Sequence, residues 1–209
     1  MERHGIDVSK HQGKIDWDEV GSSEDVSFVM IRAGYRGNES GKIKMDAEFE
    51  NNIEGATTHE IPVGIYFYSQ AITVDEAEEE AGWVIERIGA YKIDYPVCFD
   101  FEGIGKNRVR HVTKKERTSF AVAFLNRVKE AGYTPMMYAS QSGFNNNWDT
   151  PVFVDHGYRL WCARYPGNDD GTLRPSFKPD IGFDYAMWQY SCKGKIDGIS
   201  GFVDLDVFY

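Results

Sequence analysis

Acidic residues set inside apolar runs are the features of this chain that most need a chemical explanation. Cys98-Phe99-Asp100-Phe101-Glu102-Gly103 carries two, Ile6-Asp7-Val8-Ser9 carries one, and Val203-Asp204-Leu205-Asp206 carries two more. An ionised carboxylate is costly to bury unless it is paired or used, so such clustering points to a site. Asp100 and Glu102 are two residues apart, so on an extended strand they share one face with Cα atoms roughly 6.5 Å apart. Crowded acids repel one another and raise at least one pKa, as a general acid requires. Plainer readings exist for the others. A lone Asp7 at a strand end is commonly a cap or a loop anchor, and Asp204 with Asp206 fits a solvent-facing alternation on a terminal strand. Asp100 with Glu102 has no easy structural explanation and leads the list.

Rings accompany the acids. Tyr35, Tyr66, Tyr68, Tyr138 and Trp188 fall at or near the ends of apolar runs. Any one large aromatic is ordinarily core, but five around one mouth beside acids make a platform for the apolar face of a sugar. Other chemistries lack their motifs. The five histidines (His4, His11, His59, His111, His156) show no i, i+4 pair and no His-x-Glu grouping, so no metal is expected. His11 follows the first run, within reach of the mouth, and reads first as a loop residue. Gly34-Tyr35-Arg36-Gly37 lacks the spacing and the Lys-Ser/Thr of a phosphate loop, and Ser69 and Ser140 lack a nucleophile-elbow context. Carboxylates plus rings with no cofactor motif point to glycoside hydrolysis.

Eight apolar or β-branched runs must position these residues. They are Gly5–Ser9, Phe28–Gly34, Pro62–Tyr68, Tyr95–Glu102, Pro135–Ser140, Arg159–Arg164, Ala186–Tyr190 and Val203–Phe208. Several are nearly continuous in apolar residues, as strands buried on both faces are. Helical signals lie between them. Thr73-Val74-Asp75-Glu76 and Thr113-Lys114-Lys115-Glu116 read as capping boxes, each leading into an apolar stripe, with Gly132 as the stop of the second helix. Asp46 is placed to cap a third helix carrying Phe49, Ile53 and Ala56. Asp16–Val20 and Ser142–Asn147 are shorter candidates, and Pro166–Phe183 reads as loop. The α/β pattern predicts a single TIM-like barrel over residues 1–209, with helices fading in the last third and a doubly wound sheet as runner-up. In a barrel the site gathers at the C-terminal strand ends, and the first and eighth strands would bring Asp7 and Asp204 to one mouth.

The composition narrows the partners. The 209 residues carry 23 Lys plus Arg against 33 Asp plus Glu, a net charge of −10. No basic cluster offers a nucleic-acid groove, and a neutral polymer or small molecule fits better. No apolar run approaches the ~20 residues that span a bilayer, so no integral membrane contact is expected. Cys98, Cys162 and Cys192 are widely spaced in apolar stretches and read as buried free thiols. Met-Glu-Arg-His-Gly leads straight into a strand with no charged-then-apolar leader, so export either uses no signal peptide or a leader is missing here. A monomer is the default.

The ordered set of motifs resembles the glycoside hydrolase family 25 lysozymes. The matching pieces are Gly5-Ile6-Asp7-Val8-Ser9-Lys10-His11-Gln12-Gly13, Ile15-Asp16-Trp17 and Phe28-Val29-Met30-Ile31-Arg32-Ala33-Gly34. Ile61 to Ser69, Asp100-Phe101-Glu102, Gly132 to Tyr138, Trp188 to Ser191 and Gly198 to Leu205 follow in order, covering essentially the whole chain. The resemblance implies an irregular (β/α)5(β)3 barrel and retaining hydrolysis of the β-1,4 bond between N-acetylmuramic acid and N-acetylglucosamine in peptidoglycan. It implies Glu102 as general acid/base, and Asp100 as either the partner of the substrate's 2-acetamido group or the nucleophile. Asp7 and Asp204 are supporting acids on this reading, and the place of action is the cell wall or outside the cell. The pattern often has Asn where Asp206 stands, which leaves open whether Asp204 or Asp206 faces the site. The chain stops at Tyr209 without wall-binding repeats, so it either acts alone or has lost a targeting module. The alternatives are a peptidoglycan- or chitin-binding relative without turnover and a chitinase-like hydrolase.

Overall fold

Nine strands form one sheet among the described residues, 2–209 of the computed structural model, and eight of them close on themselves. In chain order the strands are β1 (Arg3–Val8), β2 (Val29–Arg36), β3 (Ile43–Met45), β4 (Val63–Tyr68), β5 (Val97–Asp100), β6 (Pro135–Ser140), β7 (Arg159–Ala163), β8 (Met187–Gly194) and β9 (Val203–Phe208). Pairing runs β1-β9-β8-β7-β6-β5-β4-β2, and parallel pairing of β1 with β2 shuts the ring. The short β3 is absent from the sequence expectation; it hangs antiparallel on β2 outside the ring, pairing Tyr35 with Lys44.

The helices explain the irregularity. α1 (Trp17–Gly21) follows β1, α2 (Phe49–Thr58) follows β3, α3 (Val74–Ile88) follows β4, α4 (Lys114–Glu130) follows β5 and α5 (Thr150–Asp155) follows β6. No α-helix separates β7, β8 and β9, so the barrel is (β/α)5(β)3. Residues 195–202 are too few for the crossover that a parallel pair needs, and β9 therefore runs antiparallel to both β8 and β1.

Local signals acted unevenly. At Thr113 both halves of the capping box form: the Thr113 hydroxyl accepts from Glu116 N, and the Glu116 carboxylate accepts from Thr113 N at 2.8 Å. At Thr73 only half forms. Thr73 caps Glu76 N, whereas the Glu76 carboxylate takes Ile72 N at 2.9 Å and Arg108 Nη2 at 2.7 Å. The expectation that Asp46 caps α2 needs correction, because Glu48 occupies that position without a side-chain bond. Asp46 is instead a buried clamp, accepting Lys10 N at 2.9 Å and Glu48 N at 3.0 Å on Oδ1 and Arg32 Nε at 2.7 Å on Oδ2. The Ser142–Asn147 candidate is a single wide turn closed by Trp148 N to Gly143 O.

Two separate apolar cores result. One lies between the sheet and the helices and includes Ile31, Ile65, Phe67, Phe99, Phe124 and Val128. The other fills the lower barrel interior with Phe28, Met30, Cys98, Met136 and Met187, and Tyr95 stacks on Phe28 at 4.5 Å between centroids. Glycines make that second core possible. A Cβ at Gly5 would lie 2.5 Å from Phe28 O, and one at Gly64 would lie 2.3 Å from Met30 Sδ.

Candidate active site

An open cleft of about 480 Å³ lies at the C-terminal ends of the parallel strands, above the apolar plug. Its acids arrive on three strands. β5 ends at Asp100, and the chain then leaves the sheet toward Glu102. Ser69 N donates to Asp100 O at 2.7 Å and Gln70 Nε2 to Glu102 O at 3.0 Å, which fixes the exit of that segment. The sequence run Tyr95–Glu102 was therefore too long as a strand, since its last backbone groups bond to the loop after β4. Asp7 on β1 faces Asp204 on β9 in register, as the closed barrel demanded.

Burial divides these carboxyls. Asp7 and Asp100 are 5% and 6% exposed, whereas Glu102 reaches solvent at the rim. Desolvation raises Asp100 well above the usual carboxylate range, the charges of Glu102 and Asp7 add to it, and the Arg32 guanidinium opposes it. Desolvation by the cleft walls raises Glu102 as well, so it keeps its proton to higher pH than a free Glu. Asp204 is pushed up to about 6 by desolvation, then by Glu102 and Asp169. Asp7 is raised well above its ordinary value by burial and by Asp204, against hydrogen bonds from Gln189 and Asp206 that favour its charged form.

Between Asp204 and Asp206 the geometry is plain. Asp204 lines the cleft, whereas Asp206 lies one layer deeper at 0% exposure.

Tyr35, Tyr66, Tyr68 and Tyr138 all line the cleft. Burial and the nearby carboxylates push Tyr68 up to about 12 and raise Tyr138 well above the ordinary phenol value, so both phenols remain donors at neutral pH. Tyr138 donates to Gln189 Oε1 at 2.9 Å, and Gln189 Nε2 donates on to Asp7 Oδ2 at 2.7 Å.

Trp188 requires correction. It points away from the cleft into the core between sheet and helices, where its Nε1 donates to Arg164 O at 2.7 Å. Successive strand residues face opposite sides, so Gln189 takes the inward place that Trp188 was expected to hold. The indole at the site is Trp161 of β7, packed edge-on to Tyr138 at 4.7 Å.

Lys10, His11 and Gln12 also line the cleft, on the turn after β1 that Ser9 caps. Arg32 of the neighbouring β2 sits beside this turn, clamped by Asp46, and both Lys10 and Arg32 lie over the Tyr35 ring. The sequence signal for Arg32 and Gln189 was a polar residue inside an apolar run, the criterion that had singled out the acids.

Comparison with known proteins fits this arrangement. The family model described as glycosyl hydrolases family 25 matches residues 6–199. The chain belongs to this family. Its fold and its order of motifs are those of a glycoside hydrolase of the lysozyme type. Among similar proteins, the autolytic lysozyme of Clostridium acetobutylicum is 26% identical over 98% of this chain and 55% of its own length. An uncharacterised Escherichia coli O157:H7 protein, YegX, is 28% identical over 98% of this chain and 69% of its own. The modular autolysin LytC of Streptococcus pneumoniae, solved with a synthetic peptidoglycan ligand, superposes with a TM-score of 0.78 at 27% identity, covering 100% of this chain and 47% of that one. The chain thus spans about half the length of these two lytic relatives.

Proposed function

We propose that the chain is the catalytic unit of a muramidase, a peptidoglycan hydrolase that cleaves the β-1,4 bond between N-acetylmuramic acid and N-acetylglucosamine with retention. The observation that carries this reading is the pairing of a buried Asp100 with a rim-exposed, proton-holding Glu102 over one open, ring-lined cleft. The family membership and the lytic relatives support glycan hydrolysis at the wall.

In the first step Glu102 donates its proton to the glycosidic oxygen, and the N-acetylglucosamine side departs as an alcohol. Asp100 accepts a hydrogen bond from the N–H of the substrate's 2-acetamido group, whose carbonyl oxygen attacks C1 and closes an oxazolinium ring. Water then attacks C1 from the face the leaving group vacated, Glu102 takes its proton, and the configuration is retained. Arg32 lies near enough to Asp100 to favour its ionised form. Tyr35, Tyr66, Tyr68 and Tyr138 with Trp161 give the sugar rings flat faces and hydroxyl partners. Asp7 and Asp204 support from the opposite wall. The protein acts as a monomer on wall glycan, at or outside the cell surface.

Digestion of purified peptidoglycan, borohydride reduction and mass spectrometry of the fragments test this. Muramitol at the new ends, lost in Glu102→Gln, is the expected outcome. Glucosaminitol ends would make the enzyme a glucosaminidase, and products from chitin alone would make it chitinase-like. Wall binding by the folded protein with no new reducing end would leave a binding module.

A further inference from the structure

The chemistry above leaves Asp206 without a task, although no carboxyl of the acidic layer is more buried. On β9 it stands opposite Gly5 of β1 and Gln189 of β8. Gly5 has no side chain, so the group Asp206 meets on β1 is Asp7, one layer up the same face. Asp206 Oδ1 accepts from Trp161 Nε1 at 2.8 Å. Oδ2 is buried without a hydrogen-bond partner, and Asp7, 5% exposed, is the acid that the register sets beside it on β1. Two carboxylates cannot bond to each other unless one of them holds a proton. The titratable groups facing Asp206 are Asp7 on β1, Asp204 on β9 and Cys98 on β5, and Tyr190 on the outer face of β8 feels its charge through the sheet. None of these is a cation, and among the described residues neither Asp7 nor Asp206 has a Lys or Arg ion-pair partner. A second ionised carboxylate would meet desolvation and repulsion together.

We propose that Asp206 is a positioning residue that shares one proton with Asp7 and, through that bond, holds the Asp7 carboxyl at the floor of the cleft. Gln189 grips the other side of Asp7 and is itself held by Tyr138, while Trp161 fixes Asp206. The bonds tie β6, β8, β1, β9 and β7 into one network beneath the reacting sugar. One proton on the pair leaves a single negative charge there; its loss places two charges side by side and pushes Asp7 out of place.

The effect on rate rests on the proposed glycan hydrolysis; the shared proton does not, and the test separates them. Asp206→Asn keeps the shape, can accept from Trp161 and offers Asp7 a permanent donor. The native pair binds a proton that unfolded aspartates release near pH ~4, so wild-type stability falls as pH rises above that value. The melting-temperature difference between Asp206→Asn and wild type should therefore widen in favour of Asn from pH 4 to pH 8. A difference that stays constant with pH overturns the shared proton. Asp206→Leu leaves Trp161 and Asp7 without their partner and should lower kcat by roughly ten-fold or more with KM little changed. Asn should restore that rate and carry it further into alkaline pH. A folded Leu variant with wild-type kcat and pH profile overturns the positioning role. Should the wild type cleave no wall glycan, the function reading fails, and the Asp7 carboxyl ¹³C resonance replaces kcat as the readout of position. An unchanged resonance in the Leu variant then overturns the role.

Discussion

In the lower half of the barrel, Gly5, Met30, Gly64, Cys98, Met136 and Met187 face inward, and five of them pack around Phe28 or Met30 as an apolar plug or its clearance. Two residues further along each of those strands, on the same face, stand Asp7, Arg32, Tyr66, Asp100, Tyr138 and Gln189, all at the cleft. The antiparallel β9 makes the same change in reverse, from Phe208 to Asp206. One step of the strand period thus converts a packed core into a titratable floor. The plug below and the closed sheet around it keep water away from that floor from beneath. Burial desolvates Asp7 and Asp100 and raises their pKa values, while both still line the cleft that a substrate would enter.

Removing the proton donor of the upper layer should give the largest effect. Glu102→Gln keeps the shape and should lower kcat by roughly 10²- to 10⁴-fold with little change in melting temperature. Steady-state kinetics on soluble wall fragments checks it. Asp100→Asn should cost a similar factor if Asp100 assists the acetamido group, and azide should then fail to restore turnover. Rescue to an inverted glycosyl azide would make Asp100 the covalent nucleophile.

The lower layer should respond in the opposite way. Gly5→Ala drives a Cβ against the Phe28 backbone oxygen and ring and should cost about 1–3 kcal/mol of stability. Activity per folded molecule should persist in urea-free buffer. A kcat loss matching the stability loss would show that the plug and the floor are not separable.

A ring at the cleft, Tyr35 of β2, and a ring in the outer core, Trp188 of β8, offer a smaller contrast. Tyr35→Ala should raise KM several-fold, the cost of about 1 kcal/mol of ring contact, and leave the melting temperature nearly unchanged. Trp188→Phe gives up the bond to Arg164 O and some packing, and should cost about 1 kcal/mol of stability with KM unaltered. If Trp188→Phe changed KM instead, its assignment to the outer core would be wrong.

That contrast also marks where sequence reasoning stopped. The eight apolar runs located the barrel strands because both faces of each are covered, and the loss of helical patterning after Arg164 matched the three bare strands at the end. Asp7, Asp100, Glu102 and Asp204 reached the mouth as their strand-end positions implied. Trp188 failed because a run apolar on both faces carries no phase: ring size favoured Trp188, whereas its polar neighbour Gln189 marked the inward face. Trp161 was passed over for the same reason. Asp46 was read locally as a cap, and its partners Lys10 and Arg32 are distant in sequence. The three-residue β3 was too short to show a pattern.

Asp204 should supply the smallest effect and the finest test of the boundary between the layers. Its carboxyl lies between the open rim and the buried pair, and its pKa is raised from the ordinary Asp value to about 6, by desolvation first and the charge of Glu102 second. A raised native pKa means that the folded state holds a proton that the unfolded chain releases near pH ~4. Stability from this group is therefore complete at low pH and is lost as pH climbs through about 6. Asp204→Asn removes that loss. Its melting temperature should match wild type near pH 4 and exceed it by roughly 2–4 °C at pH 7, the shift that about 1 kcal/mol makes in a domain of this size once partial solvent screening is allowed for. Because Asp204 also raises Asp7, the same substitution should lower the Asp7 pKa and move any Asp7-dependent limb of the rate profile toward acid. Scanning calorimetry between pH 4 and pH 8 reads the first effect and kcat against pH the second. A melting-temperature gap that is equal at pH 4 and pH 7 would place Asp204 with the solvent-exposed surface acids and move the edge of the desolvated floor back to Asp7 and Asp100.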